Sequence, residues 1–298
     1  MEIQSTSEIG GSLPEKPERK RSPFLKSFSR FLRHPFILSG GGILLFLFLL
    51  ALLAPVIAPE GYNEQKLSLR LLPPNGEHWF GTDDFGRDIL SRVIYGARIS
   101  LLIGISSVTG SILVGAFLGL LAGYYGRWVD TLISRMFDML LAFPAILLAI
   151  AIVAILGPSL FNALLAISIV NIPTYGRLMR ARVLSLREEE YVQAAKAVGL
   201  KERRILFRHI LPNSLTPILV QGTMGIGSAV LEAAALGFLG LGAQPPEPEW
   251  GKMLADARNY ITQAPWLSIF PGLAVMVTVL SFNLLGDGLR DLLDPRMR

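Results

Sequence analysis

The chain has 298 residues, of which 51% are hydrophobic and only 17% charged, against roughly 25% charged in an ordinary soluble domain. A mean hydropathy of +0.49 marks a membrane composition and excludes a soluble enzyme. The absence of cysteine excludes disulfide frameworks, thiolate metal sites, iron–sulfur clusters and cysteine nucleophiles. The formal charge of +5 says less than its distribution, because loops retained on the inner side of a membrane collect Lys and Arg.

Residues 1–35 form a basic arm carrying Lys16, Arg19, Lys20, Arg21, Lys26, Arg30 and Arg33. From Phe24 on, Phe24, Leu25, Phe28, Phe31 and Leu32 fall at helical spacing between basic residues. That pattern predicts an amphipathic elbow on the inner membrane surface, although charges that merely fix topology would give it too. Residues 36–58 contain no charge over 23 positions, enough to cross a hydrocarbon core of roughly 30 Å. The preceding arm and the length of the run argue against a cleaved signal peptide.

Residues 59–98 form the first connecting loop, with an expected amphipathic helix capped by Thr82 or Asp83 and carrying Ile89, Leu90, Val93 and Ile94. A five-helix core is expected over 99–290, with further spans at 99–122, 139–156, 161–175, 215–241 and 266–285 and a tail over 291–298. The fourth span carries Asn171 and Pro173, which predicts an irregular lower end. Gly115, Gly119 and Gly123 repeat every four residues in the second span, a ladder for close helix packing. With the N-terminus inside, inner segments hold 21 Lys and Arg and outer ones 6, so both termini are expected in the cytoplasm. Tyr124, Tyr125 and Trp128, and at the other face Trp250, Tyr260 and Trp266, would form the interfacial aromatic belts.

The polar segment 185–212 is too patterned for a linker. Ser185 and Glu188 have capping-box spacing, and Glu188, Glu189 and Glu190 place negative charge where a helix dipole favours it. Tyr191, Ala194, Ala195 and Val198 then form one small face, and Gly199 sits where a helix-ending glycine belongs. A basic stretch from Lys201 through Arg203, Arg204 and Arg208 to His209 runs into Pro212. On these residues alone, an ordinary soluble hairpin between spans is the favoured reading.

Gln193-Ala194-Ala195, Gly199 and Ile210-Leu211-Pro212 resemble the cytoplasmic "EAA" loop of ABC importer permeases, whose helix docks on the ATPase subunit. Gln193 departs from the usual glutamate, which puts in doubt any salt bridge at that position. His78-Trp-Phe-Gly-Thr-Asp-Asp-Phe-Gly-Arg-Asp88 with Ser91 through Ser100, Ala235 through Gly251, and Phe282 through Asp291 are similar to the C-type permease of dipeptide/oligopeptide importers. The resemblance covers about residues 30–298.

It implies an all-α membrane protein with six transmembrane helices, a type I ABC importer permease core and cytoplasmic coupling helices between helices 4 and 5. The implied partners are a second, different permease subunit, two ATPase subunits, an extracytoplasmic substrate-binding protein and membrane lipid, with no nucleic acid. No catalytic residue, cofactor or metal is expected on this chain; ATP and Mg would be bound by the partner ATPases, consistent with the lack of a Gly-x-x-x-x-Gly-Lys-Ser/Thr loop. The implied ATPase-coupling residues are Tyr191, Gln193, Ala194, Ala195, Gly199, Arg203 and Arg204. Glu232, Asn283 and Asp287 are translocation-pathway candidates, because an ionisable group within a span should face protein or water.

Asp83, Asp84, Arg87, Asp88, Gln244, Glu249 and Trp250 are candidates for an external gate or binding-protein docking surface. For the aspartates, caps and surface charges are the competing reading. Short peptides are the expected cargo, with glutathione or a nickel complex as family alternatives. An ion-coupled secondary transporter using Glu232, Asp138 and Asp287 as a carboxylate relay is the alternative from another class.

Overall fold

The computed structural model describes residues 34–293, which are mostly helical. The expected elbow and the last five residues of the tail lie outside the described residues. Nine helices carry the architecture among the described residues: α1 Pro35–Leu52, α2 Ile89–Tyr125, α3 Arg127–Leu141, α4 Ala145–Leu156, α5 Leu160–Arg187, α6 Glu190–Ala197, α7 Leu211–Phe238, α8 Trp250–Ala257 and α9 Trp266–Leu293. Short helical turns at Ala54–Ile57 and Glu202–Ile205, and a π-turn at Leu206–Ile210, join them.

Each of the six apolar stretches is found in helix, but they do not qualify as spans in the same way. α1, α2, α7 with its leading turns, and α9 are long and apolar enough to cross a membrane. α3 and α4 qualify only as a pair, bent by 89° at the break before Ala145. The 12 residues of α4 rise only about 18 Å, so α4 alone is too short for the bilayer core. α5 has the length, 28 residues, but its arginines and asparagines keep it below the apolarity of the others.

Three expectations are corrected here. α5 runs unbroken through Pro173 to Arg187, because Pro173 is buried in the bundle and packing outweighs its missing N–H. The amphipathic segment around Ile89–Ile94 is no separate helix; it is the first two turns of the 37-residue α2. α9 extends to Leu293, into the segment expected as a tail.

Packing follows the small residues. A Cβ at Gly115, Gly119 or Gly123 of α2 would collide with the backbone or Cβ atoms of Ile172, Gly176 and Val183 on α5, so the ladder brings these two helices into backbone contact. Gly176 in turn admits the fully buried Phe137 ring of α3. α1 packs on α9 and sends Leu44, Leu47 and Ala51 into a second apolar cluster with Leu101 and Phe282: a Cβ at Gly40 would sit 2.7 Å from the Ser281 carbonyl and 2.8 Å from the Leu285 nitrogen. The outward side chains of α1, among them Leu38, Leu45 and Phe46, stay exposed, as a lipid-facing helix requires.

Two ends result. One, the basic end, carries α6, the following turns and Arg177, Arg180, Arg182 and Arg187 of α5. There Asp130 of α3 receives Arg180, whose Nη2 donates to Oδ2 at 2.6 Å. The opposite end carries residues 59–88, α8 and their connections.

Candidate functional site

At the basic end, α6 is a two-turn helix held by its inner face. Val192 and Ala195 are buried with Leu186, Ile205, Leu206 and Ile210 in the main apolar cluster, and Tyr191, Ala194 and Val198 point outward. The expected docking face is therefore rotated: Ala195 belongs to the support, and Tyr191, Ala194 and Val198 form the free surface. The Ser185–Glu188 capping box is not formed either, since both the Ser185 position and Arg187 are still inside α5 and α6 begins after Glu189.

Gly199 closes α6 at φ +76, a conformation L side chains rarely adopt. The Gly199 amide donates to the Lys196 carbonyl at 2.9 Å and the Leu200 amide to Ala195 at 3.2 Å, the paired bonds of a Schellman ending. Gln193 Nε2 donates to the Arg187 carbonyl at 2.9 Å. A glutamate could not make that bond, so the departure at 193 is used to tie α6 to the end of α5. Arg203 and Arg204 are exposed beside it, and Asn213 Nδ2 lies 3.4 Å from the Tyr191 hydroxyl.

Next to α6 opens a groove of about 910 Å³ between α5, α7 and the end of α9. Arg182, Glu189, Asn213, Gln221 and Arg290 give it a polar wall, and Leu178, Pro217 and Met224 an apolar one. None of these except Tyr191, which also borders it, was singled out from the sequence as a site residue; the polar stripe along α7 was the available signal.

Within the bundle, Glu232 of α7 is half-buried and accepts a bond from Asn171 Nδ2 of α5 at 2.9 Å. Asn283 and Asp287 lie one turn apart on the exposed side of α9. Asp138 is paired with Arg177 at 2.5 Å near the basic end, so two of the three expected relay members, Asp138 and Glu232, have separate partners.

The opposite end is a rigid platform rather than a set of surface charges. Asp88, almost fully buried, is the N-cap of α2: its Oδ2 accepts from the Ser91 amide at 2.7 Å and its Oδ1 lies 3.0 Å from His78 Nδ1. Thr82 and Asp83, expected as caps, do other work. Thr82 pairs with Leu72 across the chain. Asp83 accepts from the amides of Phe85 and Arg87 at 2.8 and 2.9 Å and from Arg87 Nε at 2.6 Å. Asp83 and Asp88 are thus buried structural groups, and Arg87, paired with Asp83, keeps one side on a cavity.

The same correction applies on α8. Glu249 is 1% exposed and caps α8, accepting from the Gly251 and Lys252 amides at 2.8 Å each. Burial pushes its carboxyl above the usual carboxylate range, and those two amides pull it back. Trp250 is equally buried; its Nε1 donates to the Val93 carbonyl at 3.0 Å and its ring covers Gly96, so it is no belt residue. Of the external candidates only Asp84, half-buried, and Gln244, exposed, reach the surface. Asp84 borders a cavity of about 630 Å³ with Arg87, Glu247, Lys252 and Asp256.

A bundle with four helices long and apolar enough to cross a membrane, or five with the bent pair, and an exposed two-turn helix on its basic end, has the architecture of a multi-pass membrane protein. The sequence comparisons specify it. Residues 115–298 match the family described as the binding-protein-dependent transport system inner membrane component, and residues 22–74 match the N-terminal TM domain of oligopeptide transport permease C. The chain belongs to this family of inner membrane permeases and, within it, to the C-type of dipeptide/oligopeptide ABC permeases.

It is 58% identical over 293 residues to the dipeptide transport system permease protein DppC of Alkalihalophilus pseudofirmus, covering 98% of this chain and 96% of that one. It is 48% identical to the di/tripeptide permease DppC of Pseudomonas aeruginosa, with 93% of each chain covered. It is 47% identical to the glutathione permease GsiD of Pectobacterium atrosepticum, again with 93% of each covered. A chain of the inward-facing MetNI methionine ABC transporter shares the fold, with a TM-score of 0.57 at 17% identity over 69% of this chain and 98% of that one. The expected type I importer permease fold is borne out.

Proposed function

We propose that this chain forms half of the membrane pathway of an ATP-driven importer of short peptides. It would work with a second, different permease, two ATPase subunits that bind ATP and Mg, and an extracytoplasmic binding protein that delivers the cargo. The observation that carries the reading is α6: a short helix anchored by Val192 and Ala195, presenting Tyr191, Ala194 and Val198 outward beside Arg203 and Arg204. A free face on a rigid mount suits docking on an ATPase, and its bond to α5 through Gln193 gives a mechanical link from that ATPase to the bundle.

With 21 Lys and Arg in the segments expected inside against 6 in those expected outside, the basic end is assigned to the cytoplasm and the platform to the outside. Glu232 is assigned to the pathway, where its carboxylate can receive a peptide ammonium group. Dipeptides and tripeptides are the first cargo to test, given the named relatives. Glutathione, itself a tripeptide, is the second reading, favoured by the 47% identity to a glutathione permease.

The test is extraction of the tagged chain from its native membrane in mild detergent, mass spectrometry of what copurifies, and ATP-driven uptake of a peptide panel by the reconstituted assembly. One further permease and two ATPases with peptide uptake are expected. A chain that emerges alone and recruits no ATPase would sink the reading.

A further inference from the structure

We propose that α3 lies in the headgroup layer at the basic end of the bundle and that Arg127 and Arg135 on its polar edge hold an anionic phospholipid. The chain leaves α2 through two consecutive residues of positive φ, Gly126 at +62 and Arg127 at +51, and α3 is bent by 89° from α4. Ala149 and Val153 of α4 share the main apolar cluster with Ala163 and Ala166 of α5, so that bend lays α3 across the bundle rather than along it.

Three arcs run around α3. Ile133 and Phe137 are buried against the bundle. Trp128, Leu132 and Met139 form a second arc and are 72%, 62% and 64% exposed, an apolar face continued past the bend by the exposed Phe143 and Leu147. Arg127, Thr131 and Arg135, four residues apart, form the third arc, which is polar and exposed. A helix with one arc on protein, one apolar and free, and one basic is built to lie at a membrane interface, its apolar arc in the acyl chains and its basic arc among the headgroups. A tryptophan on the apolar arc belongs in the same layer.

The charges on α3 leave room for an outside anion. Asp130 receives Arg180 and Asp138 receives Arg177 at 2.5 Å, so α5 neutralises both carboxylates of α3. Arg127 makes no ion pair among the described residues, although glycine would adopt its left-handed backbone more readily. Arg135, 77% exposed, lies 3.8 Å from an Asp138 that is already bonded. Two such cations beside a free apolar arc match a phosphate headgroup of net negative charge.

The lack of cysteine lets single thiols carry a fluorophore in the full chain within its purified assembly, reconstituted in nanodiscs of equal phosphatidylcholine and phosphatidylglycerol. With brominated acyl chains, labels on L132C and M139C are expected to be quenched and a label on T131C to be spared. Unquenched labels at 132 and 139 would mean that protein covers the arc, and the proposal would fall.

Mass spectrometry of the lipids retained after detergent extraction reads the headgroup. Phosphatidylglycerol should be held in preference to phosphatidylcholine, and R127Q and R135Q should each cut that preference about fivefold. The paired R127K/R135K variant keeps the charge and should keep most of the preference, which separates lost charge from misfolding at equal amounts of assembled complex. Quenching without any headgroup preference, or a preference that survives in R127Q/R135Q, would reduce α3 to an ordinary lipid-facing wall and remove the anion site.

Discussion

Asn171 donates from Nδ2 to Glu232 Oε2 at 2.9 Å, tying the middle of α5 to α7 at its one carboxylate. The bond survives if the acceptor becomes an amide, but the charge does not. Glu232→Gln should therefore assemble in wild-type amounts while uptake of a free-amine dipeptide falls about tenfold, the scale of a charged hydrogen bond at ~1.5–3 kcal/mol. An N-acetylated dipeptide lacks the ammonium group and should lose less. Equal losses for the two peptides would show that Glu232 does not meet the amine.

Ala194 and Ala195 are sequence neighbours with opposite exposures, which separates docking from folding. Ala194→Arg alters only the free face of α6 and should abolish ATPase copurification with normal amounts of this chain in the membrane. Ala195→Arg forces a charge against Val192 and Ile205, a cost of several kcal/mol, and should lower the amount of the chain itself. Immunoblots of membranes before and after pull-down distinguish the two. A docked ATPase on the Ala194→Arg chain would remove α6 from the coupling surface.

Much of this arrangement was legible in the sequence, because bilayer spans and helix-ending glycines leave local signals. The Gly115–Gly119–Gly123 ladder, the ending at Gly199 and the segment containing α6 all follow from spacing of a few residues. What was misread depends on contacts distant in the chain. Asp83, Asp88, Glu249 and Trp250 read as surface groups because nothing local reveals that Arg87, His78, the α8 amides and the Val93 carbonyl enclose them. The rotation of α6 was missed for a related reason: Val192 is recruited inward by Ile205 and Leu206, beyond the helix that carries it.

The α2–α5 contact has little room for any side chain at position 119, where a Cβ would run into the Gly176 carbonyl. Gly119→Val should separate the helices and destabilise the bundle by about 1–3 kcal/mol, the usual scale of overpacking. The thermal aggregation midpoint of the detergent-solubilised complex should fall accordingly. Gly157→Ala offers the contrast: nothing lies within 4 Å, but its φ of +93 makes the substitution strained in the turn alone, with no effect on the α2–α5 contact. Cross-linking of thiols placed on α2 and α5 should weaken for Gly119→Val only; weakening for both would mean that the contact does not depend on the ladder.

Asp84, on the cavity it shares with Lys252 and Asp256, carries a pH dependence whose sign can be fixed. Burial raises its carboxyl above the ordinary value of 3.8, and the neighbouring Asp83 charge raises it further. The folded chain thus holds this proton more tightly than the unfolded chain. Its favourable effect on stability is complete below the ordinary value and is lost as pH climbs through the raised one. Above that window the ionised Asp84 opposes Asp83 and the folded state bears the cost. Asp84→Asn removes the repulsion, so the variant complex should melt above wild type at pH 7, with the gap closing as pH is lowered towards 4. A gap that stays constant over that range, or widens in acid, would show that Asp84 is not strained by its neighbour and is free to meet a cationic group from outside.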